Sequence, residues 1–316
     1  MTSPTLIGRF FEAIRRSVIS VSFFFVRIQP FNFIATRIIK PFTPILPRFI
    51  PDKFPVAGRI TVSYPGSTKL ILQSNGRDTI ASRLFWNSHQ GHEPETVNVY
   101  RKLLNRSSVV IDVGASTGLF TLIAGQECPY GEIHAFEPVP ETFDFLVRNI
   151  NLNHFTNVTA VRACATNFDG KIDLYLNESP ALHLTASVLA GYRASSGAIH
   201  APSITLDSYA SKNSLDKIDL IKIDAEGSDD MVLAGAVNIL KHQQPLIICE
   251  VLYDHTDKLL QSFLEDTGYQ YLSINDKGLQ LRQKIIGDKN YKYRNYLLVP
   301  KSKLAEITNQ INTSAL

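Results

Sequence analysis

Three acids stand at or near the ends of apolar runs, the place where α/β proteins present groups to ligands. They are Asp112 in Val109-Val110-Ile111-Asp112-Val113, Glu137 after Ile133-His134-Ala135-Phe136, and Asp224 after Leu220-Ile221-Lys222-Ile223. The first run passes into Gly114-Ala115-Ser116-Thr117-Gly118 and then into the apolar helix pattern Leu119 to Ala124. Glycines lack a Cβ and let a ligand approach the backbone closely at the carboxyl end of a parallel strand. Gly114 and Gly118 do not follow the dinucleotide rhythm, because the middle glycine that faces a pyrophosphate is missing. An adenosyl ligand with a methionine tail has no phosphate. It needs an anion near its ammonium group and amides near its carboxylate, and Asp112 and the loop offer both.

Glu137 lies about twenty residues beyond the loop, the spacing at which an acid of the same βαβ unit accepts hydrogen bonds from both ribose hydroxyls. A turn that needs glycine for geometry alone, and a solvent-facing Glu at a strand end, are the plainer readings of the same residues. The third run ends in Asp224-Ala225-Glu226-Gly227 and precedes the helical pattern Met231, Leu233, Val237, Leu240. Pro245 to Val251 gives one more apolar strand, closed by Glu250. Asp224 and Glu226 are the first candidates for positioning an acceptor or taking its proton, with a cap on the helix that opens near Ser228 as the competing reading. His183, His200 and His255 are alternative bases.

The order of these texts carries a resemblance. D-V-G-A-x-x-G at Asp112 to Gly118, A-F-E-P at Ala135 to Pro138, Asn149 to Asn153, T-L-D at Thr205 to Asp207, I-K-I-D-x-E-G at Ile221 to Gly227 and P-x-I-I-x-E at Pro245 to Glu250 together resemble an FkbM-type S-adenosylmethionine-dependent methyltransferase. The likeness covers roughly residues 90 to 255. Ser116 stands where that family often has Asn, and Ala225 and Asp229 replace a more usual Val and Glu. The resemblance implies a Rossmann-like class I methyltransferase fold, a mostly parallel seven-stranded sheet with an antiparallel last strand and helices on both faces. It implies S-adenosylmethionine as cofactor. The expected binding set is Asp112, Gly114, Ser116, Gly118, Glu137 and Asn167, with Asp224 and Glu226 as catalytic residues. By analogy alone it points to a hydroxyl acceptor on a small molecule or glycan. Glu93-Pro94-Glu95 matches acid-proline text that precedes the cofactor strand in that family, although a helix N-terminus accounts for it as well.

Other classes are weighed against the same residues. No Asn-Pro-Pro-Tyr or Asp-Pro-Pro-Tyr text is present to hold an extruded base amine, which argues against a DNA amino-methyltransferase. None of the twelve tyrosines has Lys four residues later, as a short-chain NAD-dependent dehydrogenase would need. A non-catalytic methyltransferase-like module at a membrane surface is the remaining alternative.

The elements that must hold these groups fit one α/β domain with an extension. The expected bounds are 1–57 for a basic, Phe-rich extension with a Pro-rich linker, 58–302 for the methyltransferase domain with its N-terminal hairpin, and 303–316 for a tail. Strands Arg59 to Ser63 and Lys69 to Gln73 make that hairpin. Helix is expected over Pro140 to Asn151 and Lys258 to Leu264, and strands over Val158 to Ala163, Lys171 to Leu176, Tyr269 to Ile274 and Tyr293 to Val299. Glu178 to Pro202 shows no firm period and reads as a substrate-side loop or lid.

The net charge of +3 hides an asymmetry: residues 1 to 50 carry seven bases and one acid, and nine of the eighteen phenylalanines. In helical projection Phe10, Ile14, Val18, Val21 and Phe25 share a face opposite Arg9, Arg16 and Arg27. That suits an interfacial helix, while the longest apolar run there is too short to span a bilayer and no secretory signal is evident. A helix docked on the protein's own core, or a disordered arm, is the competing reading. Nucleic acid is a poorer partner, since the bases cluster with phenylalanines in a tail. Cys128, Cys164 and Cys249 form an odd set without C-x-x-C spacing, read as core thiols in a reducing compartment. The expected location is cytoplasmic, with peripheral membrane contact through residues 1–50. His89 and His92 lack further ligands nearby, and no metal is assigned.

Overall fold

A computed structural model of the chain describes residues 29–41, 55–177, 185–188 and 197–313. The chain divides into two units, Met1–Ser63 with Ile71–His92, and Tyr64–Leu70 with Glu93–Leu316. The face proposed from Phe10, Ile14, Val18, Val21 and Phe25 lies outside the described residues.

In the first unit are α1 (Gln29–Ile39), β1 (Ala57–Ser63), most of β2 (Lys69–Asn75) and α2 (Thr79–Asn87). β1 alternates strictly at its end, Ile60 and Val62 inward and Thr61 and Ser63 outward, which marks a strand with one covered face. It pairs with β2 in the expected hairpin sheet. Asp78 caps α2 by accepting the Ala81 amide at 2.9 Å, and the helix buries Ala81, Phe85 and Trp86 against Val56 and Ile60.

The second unit runs α3 (Pro94–Leu104), β3 (Val109–Val113), α4 (Leu119–Glu127), β4 (Glu132–Phe136), α5 (Pro140–Leu152), β5 (Val158–Val161) and β6 (Cys164–Ala165). There follow β7 (Gly170–Asn177), β8 (Thr185–Ser187), β9 (Gly197–Ile204), α6 (Leu206–Lys212), β10 (Leu220–Ile223), α7 (Asp229–Ala234) and β11 (Leu246–Glu250). Last come α8 (Thr256–Leu264), β12 (Tyr269–Asn275), β13 (Gly278–Arg282), β14 (Asn295–Pro300) and α9 (Leu304–Thr313).

The main sheet has the order β13-β12-β14-β11-β10-β3-β4-β5. β3, β4, β5, β10 and β11 are parallel, and β14 is inserted antiparallel between β11 and β12, as expected of the last strand. Every residue of β10 and β11 is buried, the pattern of strands covered on both faces. The chain starts at β3, builds outward through β4 and β5, then returns to the other side of β3 with β10. The carboxyl ends of β3 and β10 therefore flank the switch point, where an open α/β sheet leaves its ligand crevice.

The sheet has eight strands rather than the expected seven. The addition is β13, an edge strand paired only with β12 among the described strands, and its half-exposed and exposed residues leave no burial period to read. A second sheet, β6-β9-β7-β8, also departs from expectation. Part of the stretch read as a substrate-side loop or lid is strand: β9 pairs with β7 from Gly170↔Ser203 to Leu176↔Gly197. β9 contains Pro202 and mostly small or polar residues, so its propensity hides its pairing. The rest of that stretch, 178–184 and 189–196, lies outside the described residues. At the end of the chain α9 packs on α3, with Ile307 and Ile311 buried, Lys102 Nζ donating to the Ile311 carbonyl at 2.8 Å and Gln310 Nε2 to that of Lys102 at 2.7 Å.

Candidate functional site

β3 puts Asp112 at the centre of the sheet, in register with Lys222 of β10 and Ala135 of β4. Asp112 is buried. Its Oδ2 accepts the Thr121 hydroxyl at 2.6 Å, and its Oδ1 has no hydrogen-bond partner among the described residues. Burial pushes its pKa up, while Lys222 and the Thr121 bond pull it back. A carboxylate oxygen left this way is costly unless something donates to it.

The glycine loop is fastened to the second acid. Amides of Gly114 and Ala115 both donate to the Phe136 carbonyl, at 3.0 and 2.9 Å. Ser116, held at φ +51°, donates its amide to Glu137 Oε2 at 3.0 Å, and Val139 donates to Oε1 at 2.9 Å. Glu137 is buried, and desolvation pushes it up to about 7 against the lowering effect of the Val139 and Ser116 bonds. Each of its oxygens still has a second lone pair for a donor such as a hydroxyl. Gly118 opens α4 at φ +101°. Gly114 is obligatory by space as well as by φ: at +76° a Cβ there would lie 1.9 Å from the Asp224 carbonyl oxygen. The first loop and the Asp224 loop thus touch backbone to backbone. Asn167 is exposed on the bend after β6 and makes no hydrogen bond to Asp112 or Glu137.

Across the switch point, Asp224 follows β10 and donates its amide to the Val113 carbonyl at 3.0 Å. Lys222 Nζ is 3.3 Å from Asp224 Oδ2 and 4.5 Å from the centre of the Phe120 ring. Burial alone would lower the lysine's pKa, but Asp224, Asp112 and Glu93 together raise it, so the ammonium stays charged. Glu226 sits at φ +49°, and its carbonyl accepts the Ser187 hydroxyl at 3.0 Å, which attaches β8 to this loop. Ser228 is the N-cap residue of α7. Asp229, fully buried, accepts the Ala225 amide through Oδ1 at 3.2 Å and has no hydrogen-bond partner at Oδ2 among the described residues; burial and Asp224 push it up to about 7.

The wall behind these acids comes from distant parts of the chain. Glu250, buried at the end of β11, pairs with Arg294 Nη1 at 2.7 Å, and Arg294 Nη2 lies 3.5 Å from Glu93. Asn295 Nδ2 donates to Glu93 Oε2 at 2.9 Å and to Thr96 Oγ1 at 3.0 Å. Burial and Asp224 push Glu250 well up, and Arg294 holds it down. The structure therefore brings Asp224, Glu226 and Asp229 into electrostatic range of Glu250, and Asp224 into range of Asp229. His200 is exposed on β9 and pairs with Asp173 at 2.5 Å. His255 occupies the N-cap position of α8, and His183 lies outside the described residues.

Sequence reading assigned no role to Lys222, Arg294 or Asn295. Lys222 left a signal, a lone cation inside an apolar strand between two acids, which needs partners to be buried there. Arg294 and Asn295 left none, because their partner Glu93 is two hundred residues away.

A parallel sheet with its switch point between β3 and β10, an antiparallel strand inserted at β14, and an acid-and-glycine crevice at the strand ends define a class I methyltransferase fold. The family model of the methyltransferase FkbM domain matches residues 112–271, half of the sequence, and the chain belongs to that family. Among curated relatives, methyltransferase sdnD of Sordaria araneosa is 29% identical over 153 residues, 40% of this chain and 59% of that protein. Methyltransferase 1 of Beauveria bassiana is 40% identical over 53 residues, 17% of this chain and 21% of that one. The chain thus spans less than two thirds of either relative. The crystal structure of methyltransferase FkbM from Methylobacillus flagellatus KT aligns with a TM-score of 0.42 and 17% identity, over 72% of this chain and 56% of that one.

Proposed function

We propose that this methyltransferase uses S-adenosylmethionine and delivers the methyl group to a hydroxyl of a small molecule or glycan. The observation that carries the reading is the buried Asp112 Oδ1, without a hydrogen-bond partner among the described residues, beside a loop whose position 114 admits only glycine, next to a Glu137 anchored by two amides. These residues fit the cofactor: Asp112 suits its ammonium group, the loop amides its carboxylate and Glu137 its ribose hydroxyls. Surrounding acids also favour a ligand that carries positive charge. When bound, S-adenosylmethionine supplies a methyl group made electrophilic by the sulfonium charge.

The chain's own groups must then orient the acceptor, exclude water and take a proton, since a neutral alcohol is a poor nucleophile. Asp224 and Glu226 are the groups to which that proton is assigned, with Lys222 fixing the Asp224 carboxylate at 3.3 Å. A transfer assay with labelled cofactor against hydroxyl acceptors tests this. Asp224→Asn and Glu226→Gln should each keep cofactor affinity within about threefold, and the more important of the two should lose transfer by about a hundredfold or more. If both turn over at the parent rate, neither carboxylate is the base.

A further inference from the structure

α1 is built inside out. Its polar side chains face the protein: Asn32 and Thr36 are buried, Asn32 Nδ2 donates to the Pro55 carbonyl at 2.9 Å, and Asn32 Oδ1 accepts the Ala57 amide at 2.7 Å. The Thr36 hydroxyl returns to the Asn32 carbonyl at 2.8 Å. Ile34 and Ile38 face out, 57% and 63% exposed, and Phe33, 40% exposed, lays its ring along Gly58 of β1 at the edge of that face. At 100° per residue Phe33, Arg37, Ile34 and Ile38 fall on one arc, opposite Ala35 and Ile39. A soluble helix normally shows the reverse distribution.

Cations frame this face. The Arg37 guanidinium lies 3.6 Å over the Phe33 ring and donates to the Arg59 carbonyl, and Lys40 Nζ lies 4.3 Å over the Phe85 ring. Gln29–Ile39 contains no acid, within a fifty-residue stretch that holds seven bases and one acid. We propose that the outer face of α1 docks on an anionic lipid surface.

Area and charge select that occupant over a second protein. Three partly exposed side chains offer a few hundred Å², well short of the roughly 800 Å² each partner gives to a standard protein interface. An interfacial helix needs only a shallow apolar edge plus cations that meet lipid phosphates, each base adding about 1 kcal/mol near an anionic surface. No helix among the described residues is long and apolar enough to cross a membrane.

The test uses the full chain and vesicles of phosphatidylcholine with and without phosphatidylserine, at low and high salt. The parent should co-sediment only with the serine-containing vesicles at low salt. Ile34→Glu/Ile38→Glu changes two exposed positions, so melting temperature and cofactor affinity should hold while vesicle binding falls roughly tenfold or more. The proposal is overturned if the parent stays in the supernatant, or if the double variant sediments like the parent. It is equally overturned if the substitutions instead dissolve a dimer of the parent, because the occupant is then a second copy.

Discussion

The two halves of the crevice hold their carboxylates by different means. On the β3–β4 side, Glu137 is anchored by backbone amides and Asp112 by a hydroxyl, with no close ion pair at either among the described residues, although Lys222 in the next strand still acts on Asp112. On the β10–β11 side the acids are balanced by cations: Asp224 by Lys222, and Glu250 by Arg294. Amides fix an acid in place and leave its charge for a ligand. Cations cancel part of that charge and tune what remains. The first half thus suits the cationic cofactor proposed above, and the second the proton transfer proposed for Asp224 and Glu226.

The sharpest way to break this division is at the point where the halves touch. Gly114→Ala places a Cβ 1.9 Å from the Asp224 carbonyl oxygen at φ +76°. It should cost about 3 kcal/mol or more and lower the melting temperature by several degrees. Cofactor binding and transfer should fall together. A variant that melts like the parent would show that the loops do not meet as described.

Arg294→Met should separate the halves. It leaves Glu250 buried without its cation; breaking a buried pair costs about 3–5 kcal/mol, and the partial solvent exposure of Arg294 reduces the expectation to about 1–3 kcal/mol. Cofactor affinity should stay within about threefold while the pH profile of transfer shifts. Calorimetric titration and rate profiles on the same preparation check this, and loss of cofactor affinity without loss of transfer would reverse the assignment.

The smallest effect is in pH. Glu137 and Asp229 are each pushed up to about 7 in the fold, from 4.5 and 3.8. Between those values and about 7 the folded state binds more protons than the unfolded chain, so these groups stabilise the fold at the acid end and lose that contribution as pH rises through 7. Cofactor affinity should move the other way, falling as protonation of Glu137 removes acceptor capacity. Glu137→Gln should flatten both trends. Parallel trends of stability and affinity in the parent would contradict the picture.

How legible each half was in the sequence follows from its construction. Asp112 meets Thr121 nine residues away, and Ser116 meets Glu137 twenty-one residues away. These contacts close within one βαβ unit, so loop spacing and the position of an acid after a strand are enough to read them. The second half is closed by Glu93 and Asn295, separated by 202 positions, and nothing local in Tyr293-Arg294-Asn295 signals that partner. Strands buried on both faces were legible as apolar runs. β9 and β13 were not, because their residues are small, polar or solvent-facing and their pairing comes from neighbouring strands.

In the function proposed above, the crevice between β3 and β10 binds S-adenosylmethionine through Asp112 and Glu137. Calorimetric titration of the full chain and of Glu137→Ala, each verified as folded by its melting transition, tests it most directly. The ribose hydroxyls lose charge-assisted hydrogen bonds worth about 1.5–3 kcal/mol each before solvation is counted. The parent should bind S-adenosylmethionine and S-adenosylhomocysteine but not NAD, and Glu137→Ala should bind at least about tenfold more weakly. A folded parent that gives no heat with S-adenosylmethionine, or a folded Glu137→Ala with unchanged affinity, would show that the cofactor is not held by these two acids.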